Sequence, residues 1–393
     1  MGIEYDKLIA RSVYKTPPSG IRRFFDIASQ MKDCISLGVG EPDFVTPWPI
    51  REAAITSIKE GHTCYTSNAG IPRLRELLCR YYSERMGVDY TPEQCIITLG
   101  ASEGIDLAAR MLCDPGDEIL VPDPAYTSYC PTVRFTGGVP IPLRTSEENG
   151  FKLTAESIRE AITLRTKAII VPYPNNPTGA IMSREELIEA LAPLEGTDII
   201  VISDEIYGEL NYGDEPPCSV ASLPGMYERT ITLSGFSKSF AMTGWRLGYL
   251  FAPEPLLYQM LKVHQLTLLC ASIISQEAGI AALENGFSND FEDVKRMHRE
   301  YNRRRRFLVK SLNEMGLTCF NPQGAFYVFP SIKSTGMDCD TFCERLLQEQ
   351  KVAVVPGSAF GQMGMNNIRI SYAYSMEHIE EALRRISLFL KSL

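Results

Sequence analysis

The feature that most constrains this chain is a series of short, unbroken apolar runs, each followed by a stretch with helical spacing. "CIITL" (Cys95–Leu99) precedes "SEGIDLAARML", in which Ile105, Ala108, Ala109 and Leu112 share one helical face. "EILVP" (Glu118–Pro122), "KAIIVPYP" (Lys167–Pro174), "DIIVISD" (Asp198–Asp204) and "TITLS" (Thr230–Ser234) follow. Between "KAIIVPYP" and "DIIVISD", "SREELIEAL" opens on a Ser183/Glu186 capping box. The runs are rich in β-branched residues and do not alternate, as expected of strands covered on both faces. Strands alternating with helices predict an α/β fold with a mostly parallel sheet. After about Pro253 the pattern changes. A long helical stretch, "DFEDVKRMHREYNRRRRFLVKSLNEMG", is followed by "AFYVFP" (Ala325–Pro330) and "VAVVP" (Val352–Pro356), which predict a second, smaller α+β domain. The first forty-odd residues carry no strand series and are open to either domain.

Composition narrows the function classes. The chain has 393 residues, 45% hydrophobic and 22% charged, with a formal net charge of −9. That charge argues against nucleic acid or an anionic membrane as the partner, so any anion site must be built locally. The eleven cysteines form no C-x-x-C pair, and the C-x-x-x-C of Cys339 and Cys343 has no histidine beside it. Neither a metal site nor a disulfide framework is expected. "MGIEYDKLIARSVYK" has no apolar signal core and no run of eighteen apolar residues occurs, so the cytoplasm is the expected compartment. His62, His264, His298 and His378 all sit among charged or polar neighbours and read as surface residues, so acid and base are expected elsewhere. The "RRRR" run, Arg303 to Arg306, reads as a solvated helix face.

In open α/β sheets ligands bind beyond the carboxyl ends of the strands. Five such ends carry a polar or aromatic group: Gly100-Ala101-Ser102, Tyr126 in "DPAYTSY", Asn176 in "NNPTG", Asp204 with Tyr207 after it, and Lys238 in "SGFSKSFAMTGWRLGY". Singly, each has a plain structural reading. Ser102 could cap a helix, Tyr126 could be core or rim, "NNPTG" could be a turn, and Lys238 and Arg246 could be a solvated lysine and an ion-pair partner. Asp204 resists this, because an ionised carboxylate after an apolar run needs a partner or a helix to cap.

Together they fit one ligand. Lys238 suits a carbonyl compound through a Schiff base. Arg246 and the helix entry suit a phosphate. Tyr126 suits a ring face, Asp204 a protonated ring nitrogen, and Asn176 and Tyr207 a ring phenolate. An aldehyde, a phosphate and a pyridine on one molecule describe pyridoxal 5′-phosphate.

At these residues the chain resembles the fold-type-I, class I/II aminotransferases of the aspartate aminotransferase superfamily, and among them the prokaryotic aromatic and aspartate enzymes. The likeness runs from "SLGVGEPDFVTP" (Ser36–Pro47) through "YTSNAGIPRLREL", "NNPTGA", "SDEIYGEL", "SGFSKSFAMTGWRLGY", "GAFYVFP" and "VAVVPGSAFG" to "IRISYA" (Ile368–Ala373). It implies a large cofactor-binding domain, residues 46–285, with a mostly parallel seven-stranded sheet in a three-layer αβα arrangement. It also implies, in residues 1–45 and 286–393, an N-terminal segment and a small C-terminal α+β domain.

The resemblance implies roles as well. Lys238 would hold the cofactor and shuttle a proton, Asp204 would pair with the ring nitrogen, Asn176 and Tyr207 with the phenolate, and Tyr126 would stack on the ring. Gly100, Ala101, Ser102 and Arg246 would take the phosphate. Many relatives have a phosphate-binding serine three residues before the lysine; here Gly235 stands there, leaving Ser237 or Ser234. Tyr65 would reach the phosphate of a neighbouring subunit, so a homodimer with shared sites is implied. Arg369 would fork onto the substrate α-carboxylate, with Gly40 beside it.

The implied activity is transfer of an amino group from an L-amino acid, aromatic favoured and aspartate or alanine possible, to a 2-oxo acid such as 2-oxoglutarate. Two rivals are a pyridoxal-phosphate-dependent C–S β-lyase, distinguished by pyruvate, ammonia and a thiol as products, and an aminotransferase-like regulator, distinguished by DNA binding.

Overall fold

The apolar runs become the strands of one sheet because each is buried along its length. In this computed structural model, which describes residues 3–17 and 31–393, the strands in chain order are β1 (Ile35–Ser36), β2 (Cys95–Thr98), β3 (Glu118–Asp123), β4 (Val139–Arg144), β5 (Thr166–Val171), β6 (Ile200–Asp204), β7 (Thr230–Gly235), β8 (Gly248–Phe251), β9 (Tyr327–Val328), β10 (Val352–Ala353), β11 (Val355–Pro356) and β12 (Ile368–Ser371). Seven of them form the sheet β2-β8-β7-β6-β5-β3-β4, parallel throughout except for β8, which runs against both its neighbours. Every residue of β2, β3, β7 and β8 is buried. Successive side chains feed opposite layers: Leu250 packs with Ile105 and Ala108, while Tyr249 and Phe251 pack with Leu78 and Tyr82. This is the predicted α/β architecture.

Two strands of this sheet escape the sequence reading. β8 is hidden in the tail of the lysine motif. β4, "VPIPLR", contains Pro140 and Pro142 and is half-exposed. It can be a strand because it lies at the sheet edge, where a missing ladder donor costs little.

The parallel strands end on one edge of the sheet, which is where β2, β3, β5, β6 and β7 deliver their following residues. The turn after β2 lies directly on β8. A Cβ on Gly248 would sit 2.4 Å from the Gly100 carbonyl carbon, and Gly100 itself has φ +76. Both positions need glycine, one for close approach and one for its backbone conformation. The helix Ala101–Leu112 begins there with Gly100, not Ser102, as its N-cap. The Ser183/Glu186 capping box forms as predicted, on the helix Arg184–Leu191.

In the C-terminal part, β11, β12 and β9 form an antiparallel sheet, and "VAVVP" splits between β10 and β11, which join different sheets. β1 pairs in parallel with β10, which ties the N-terminal segment to this part of the molecule. The long helix Glu292–Glu314 and the helices Cys339–Gln350 and Met376–Lys391 share a core with Phe326, Phe342 and Phe389. No helix among the described residues is long and apolar enough to cross a membrane.

Two surface expectations are corrected. In "RRRR", Arg303 and Arg306 are exposed, but Arg304 and Arg305 are buried. Arg305 donates to Asn302 Oδ1, Asn321 Oδ1 and the Pro322 carbonyl. Four consecutive helix positions fan out over about 300°, so they cannot all face water on a helix packed along one side. His264 is fully buried, with Nδ1 2.6 Å from Glu103 Oε1. His298 is half-buried against the Asn211 carbonyl, and only His62 and His378 are exposed.

Candidate active site

The strand ends enclose a cavity of about 330 Å³. Gly40, Ala101, Ser102, Tyr126, Asn176 and Asp204 line it, as do Tyr207, Ser237, Lys238, Arg246 and Arg369. Of the remaining expected residues, Gly100 lies behind the wall, in contact with Arg246, and Tyr65 is elsewhere, with 83% of its surface exposed.

Lys238 sits on the one-turn helix Phe236–Ser239 that follows β7. Its Nζ donates to the Gly40 carbonyl at 2.6 Å and lies 5.9 and 5.6 Å from the ring centroids of Tyr207 and Phe326. Burial lowers its pKa to about 8; Glu41 and Asp204 push upward, but Arg369 and Arg246 add to the lowering. Asp204, the last residue of β6, accepts from Tyr129 Oη at 2.7 Å and from the Ile206 N–H at 3.2 Å. Burial raises its pKa above the usual carboxylate range, and these two bonds oppose the rise. Tyr207 and Tyr327 share a hydroxyl–hydroxyl hydrogen bond of 2.8 Å.

Arg369 comes from β12 and is only 3% exposed. It donates through Nη1 to Asn176 Oδ1 at 2.9 Å and through Nη2 to the Gly38 carbonyl at 2.5 Å, while its buried Nε has no partner. The guanidinium lies 4.4 and 4.8 Å from the Tyr327 and Phe360 ring centroids. Arg246 adopts φ +52 and rests on Gly100, where a Cβ would come within 2.7 Å of its Nη2. It donates to the Thr243 carbonyl at 3.0 Å. Beside it the first N–H groups of the helix Ala101–Leu112 have no intrahelical acceptor. Ser237 lines the cavity, whereas Ser234 Oγ turns to the Glu205 carbonyl at 3.3 Å.

Lys238, Arg246 and Arg369 thus converge, and among the described residues none forms an ion pair. A buried guanidinium without a counter-ion is costly unless an anion completes it. The buried Arg369 therefore asks for an anionic group, and Arg246, exposed beside the free N–H groups of the helix entry, offers a second anion site. Between them lie an amine of lowered pKa and a buried carboxylate.

Sequence reasoning missed Tyr129, Tyr327, Glu41 and Thr243, all of which line the cavity. Tyr129 stands three residues after Tyr126 in the same quoted stretch, with the two rings edge to face at 5.5 Å. Tyr126 lies in the loop before the helix Tyr129–Phe135, so this spacing alone does not mark Tyr129. Nothing in the sequence marks Thr243, which donates to Glu41 Oε2 at 3.3 Å across a separation of 202 residues.

Residues 32–386 match the family model "Aminotransferase class I and II". The chain belongs to this family. The aminotransferase is 44% identical to an aspartate aminotransferase of Pyrococcus abyssi, over 95% of this chain and 96% of that protein. It is 43% identical to aromatic-amino-acid aminotransferase 2 of Thermococcus litoralis, with the same coverage. It superposes on the crystal structure of an aromatic aminotransferase from Pyrococcus horikoshii with a TM-score of 0.89 and 41% identity, covering 95% of this chain and 99% of that one. Class I and II aminotransferases use pyridoxal 5′-phosphate. The unpaired Arg246 at a helix N-terminus and the buried Asp204 match the phosphate and ring nitrogen of that cofactor in chemistry.

Proposed function

We propose that this aminotransferase takes the amino group of an L-amino acid, with aromatic side chains favoured and aspartate or alanine possible, and passes it to a 2-oxo acid such as 2-oxoglutarate. The observation that carries this reading is the convergence of three unpaired cations with Asp204 in one cavity. When bound, the cofactor supplies a carbonyl that condenses with amines and a ring that accepts an electron pair. The chain's residues do the rest. Arg246, Ser237 and the backbone of Gly100, Ala101 and Ser102 hold the phosphate. Tyr126 covers the ring, and Asn176 and Tyr207 meet its phenolate oxygen. Asp204 keeps a proton on the ring nitrogen. Arg369 binds the substrate α-carboxylate next to Gly40. Lys238 Nζ, once free, takes the proton from substrate Cα.

The preference for aromatic side chains is supported by what the wall lacks. With Lys238, Arg246 and Arg369 assigned, no cation remains among the described lining residues for a distal carboxylate, and Glu41 would repel one. Ile105, Ile206, Pro174 and the tyrosines offer apolar surface instead. The relatives named for aromatic and for aspartate substrates are both consistent with amino transfer.

Exposed Val45, Trp48, Tyr65 and Leu266 form part of the apolar surface that a homodimer would cover. In that dimer Tyr65 serves the partner's phosphate. Eleven free thiols support a cytoplasmic location.

A panel of twenty amino acids with 2-oxoglutarate, followed by the cofactor's spectral change, tests the reading. Formation of glutamate with the aromatic donors ahead is the expected result; pyruvate, ammonia and a thiol from a cysteine conjugate would instead identify a lyase. Arg369→Ala raises KM for the amino donor about 10²-fold, since a bidentate charge-assisted pair is worth about 3 kcal/mol; an unchanged KM rejects the carboxylate role.

The lowered pKa of Lys238 gives a separate prediction. In the apoprotein, modification of Lys238 by an amine-directed reagent rises with pH and levels off above about 8, not near the ordinary lysine value. The sign for stability follows. Because the unfolded chain holds this proton to higher pH than the native one, this group makes the apoprotein more stable as pH rises from about 8 toward 10.5. A modification profile that keeps climbing to the ordinary lysine range contradicts the lowered value.

A further inference from the structure

Between β1 and the helix Trp48–Lys59 runs an irregular strip that touches both substrate-facing cations. The Gly38 carbonyl accepts from Arg369 Nη2 at 2.5 Å, and the Gly40 carbonyl from Lys238 Nζ at 2.6 Å. Tyr327 Oη lies where a Gly40 Cβ would be, at 2.3 Å. The strip is fixed at its start by sheet-like bonds, Leu37 N–H to the Ala353 carbonyl and Ser371 N–H to the Leu37 carbonyl, both 2.8 Å. Its other end is fixed by Asp43. Arg304 Nη1 donates to both carboxylate oxygens of Asp43 at 2.8 and 2.9 Å, and Nε donates to Glu300 at 2.9 Å. Arg304 is 6% exposed, sits on a 23-residue helix and reaches toward the Tyr372 carbonyl at 3.4 Å. Phe44 packs edge-on against Tyr301 of the same helix, at 5.5 Å.

We propose that Arg304 is a positioning residue for the substrate end of the cavity: through Asp43 it holds the Gly38–Glu41 strip whose carbonyls bond Arg369 and Lys238. The inference rests on the reading above that Arg369 receives the substrate carboxylate. Between its two anchors the strip's polar bonds run mainly to site residues, Arg369, Lys238 and, through Glu41, Thr243, with Val39 N–H bonded to Tyr374 Oη. Freeing the Asp43 end lets the strip drift, and with it the alignment of the Arg369 fork. Ångström-scale misplacement of a binding group is costly even when the group itself remains. A buried guanidinium between two carboxylates on a rigid helix is a stiff anchor for this purpose.

The test uses the holoenzyme with Arg304→Met, Arg304→Lys and Asp43→Asn. The probe is 3-phenylpropionate, a carboxylate without an amino group, whose binding is read from the cofactor's absorbance. Arg304→Met and Asp43→Asn are expected to weaken probe binding and raise the donor KM about tenfold while kcat changes little. Arg304→Lys, which keeps the charge but has no fork to bridge Asp43 and Glu300, restores only part of the affinity. Amide hydrogen exchange across residues 38–44 accelerates in Arg304→Met, with the central sheet unaffected. Normal probe affinity together with a lowered Tm would mean that Arg304 only braces the fold, and overturns the proposal. Should Arg304→Met not fold, Asp43→Asn decides alone, because it leaves Arg304 paired with Glu300. Arg369→Ala separates the two readings: if it abolishes probe binding while Asp43→Asn does not, only the positioning role fails. If Arg369→Ala binds the probe normally, the carboxylate site itself is wrong.

Discussion

Lys238→Ala lowers turnover by about 10⁴-fold or more and removes the absorbance of the cofactor bound through that lysine. The size follows from the cavity's inventory. Among the described lining residues Lys238 is the sole amine and none is a histidine, so none of them offers a second amine or imidazole base for the Cα proton. The nearest buried imidazole by chain position, His264, is held by Glu103 and does not reach the cavity. The fold tolerates the change, because the side chain contributes one hydrogen bond, to the Gly40 carbonyl, and its burial as a cation is itself unfavourable. Steady-state turnover, the visible spectrum and Tm measured together check this. Small primary amines added to the variant should recover part of the rate. A variant that keeps its turnover within tenfold of the parent removes Lys238 from the chemistry.

Asp204→Asn is expected to lower kcat by about 10²–10³-fold, corresponding to about 3–4 kcal/mol, with the donor KM nearly unchanged. Asparagine has the shape of aspartate; its carbonyl oxygen can still accept from the Ile206 N–H while its amide donates to Tyr129 Oη, so the site keeps its geometry. The loss is the buried negative charge. On the proposed reading Asp204 would hold a proton on the ring nitrogen, and without that charge the cofactor would be a weaker electron acceptor. Burial raises the pKa of Asp204, and the Tyr129 and Ile206 donors oppose that rise. Arg369 is hydrogen-bonded to Asn176 while Asp204 is held by Tyr129 and Ile206, which is why binding of the donor is expected to be spared. A kcat within threefold of the parent sinks the role.

Both residues were legible in the sequence for the same reason. A strand that is buried on both faces cannot hide a charged group along its length, so a charge at its end marks the sheet edge where ligands bind. Asp204 closes "DIIVISD" and Lys238 follows "TITLS", and the structure brings both to one cavity. Asn176, Tyr126 and the Gly100–Ser102 turn were found by the same logic. Tyr129 and Tyr327 were not. Each lies within a quoted motif, but an apolar ring with one hydroxyl reads as core until its partner is known, and those partners, Asp204 and Tyr207, are 75 and 120 residues away.

The charged helix shows where local patterning stops. Spacing identifies Glu292–Glu314 as a helix with one apolar face, yet it cannot say that Arg304 meets Asp43, 261 residues earlier, while Arg303 stays in water. The edge strand β4 and the buried His264 are similar cases, decided by neighbours and not by their own residues.

By itself, then, the sequence determined the α/β layering and the set of residues at the strand ends, because burial and hydrogen-bond satisfaction act on consecutive residues and leave a periodic record. Tertiary structure alone decided which polar groups became paired and buried, because a charge placed on a helix carries no record of the distant segment that will neutralise it.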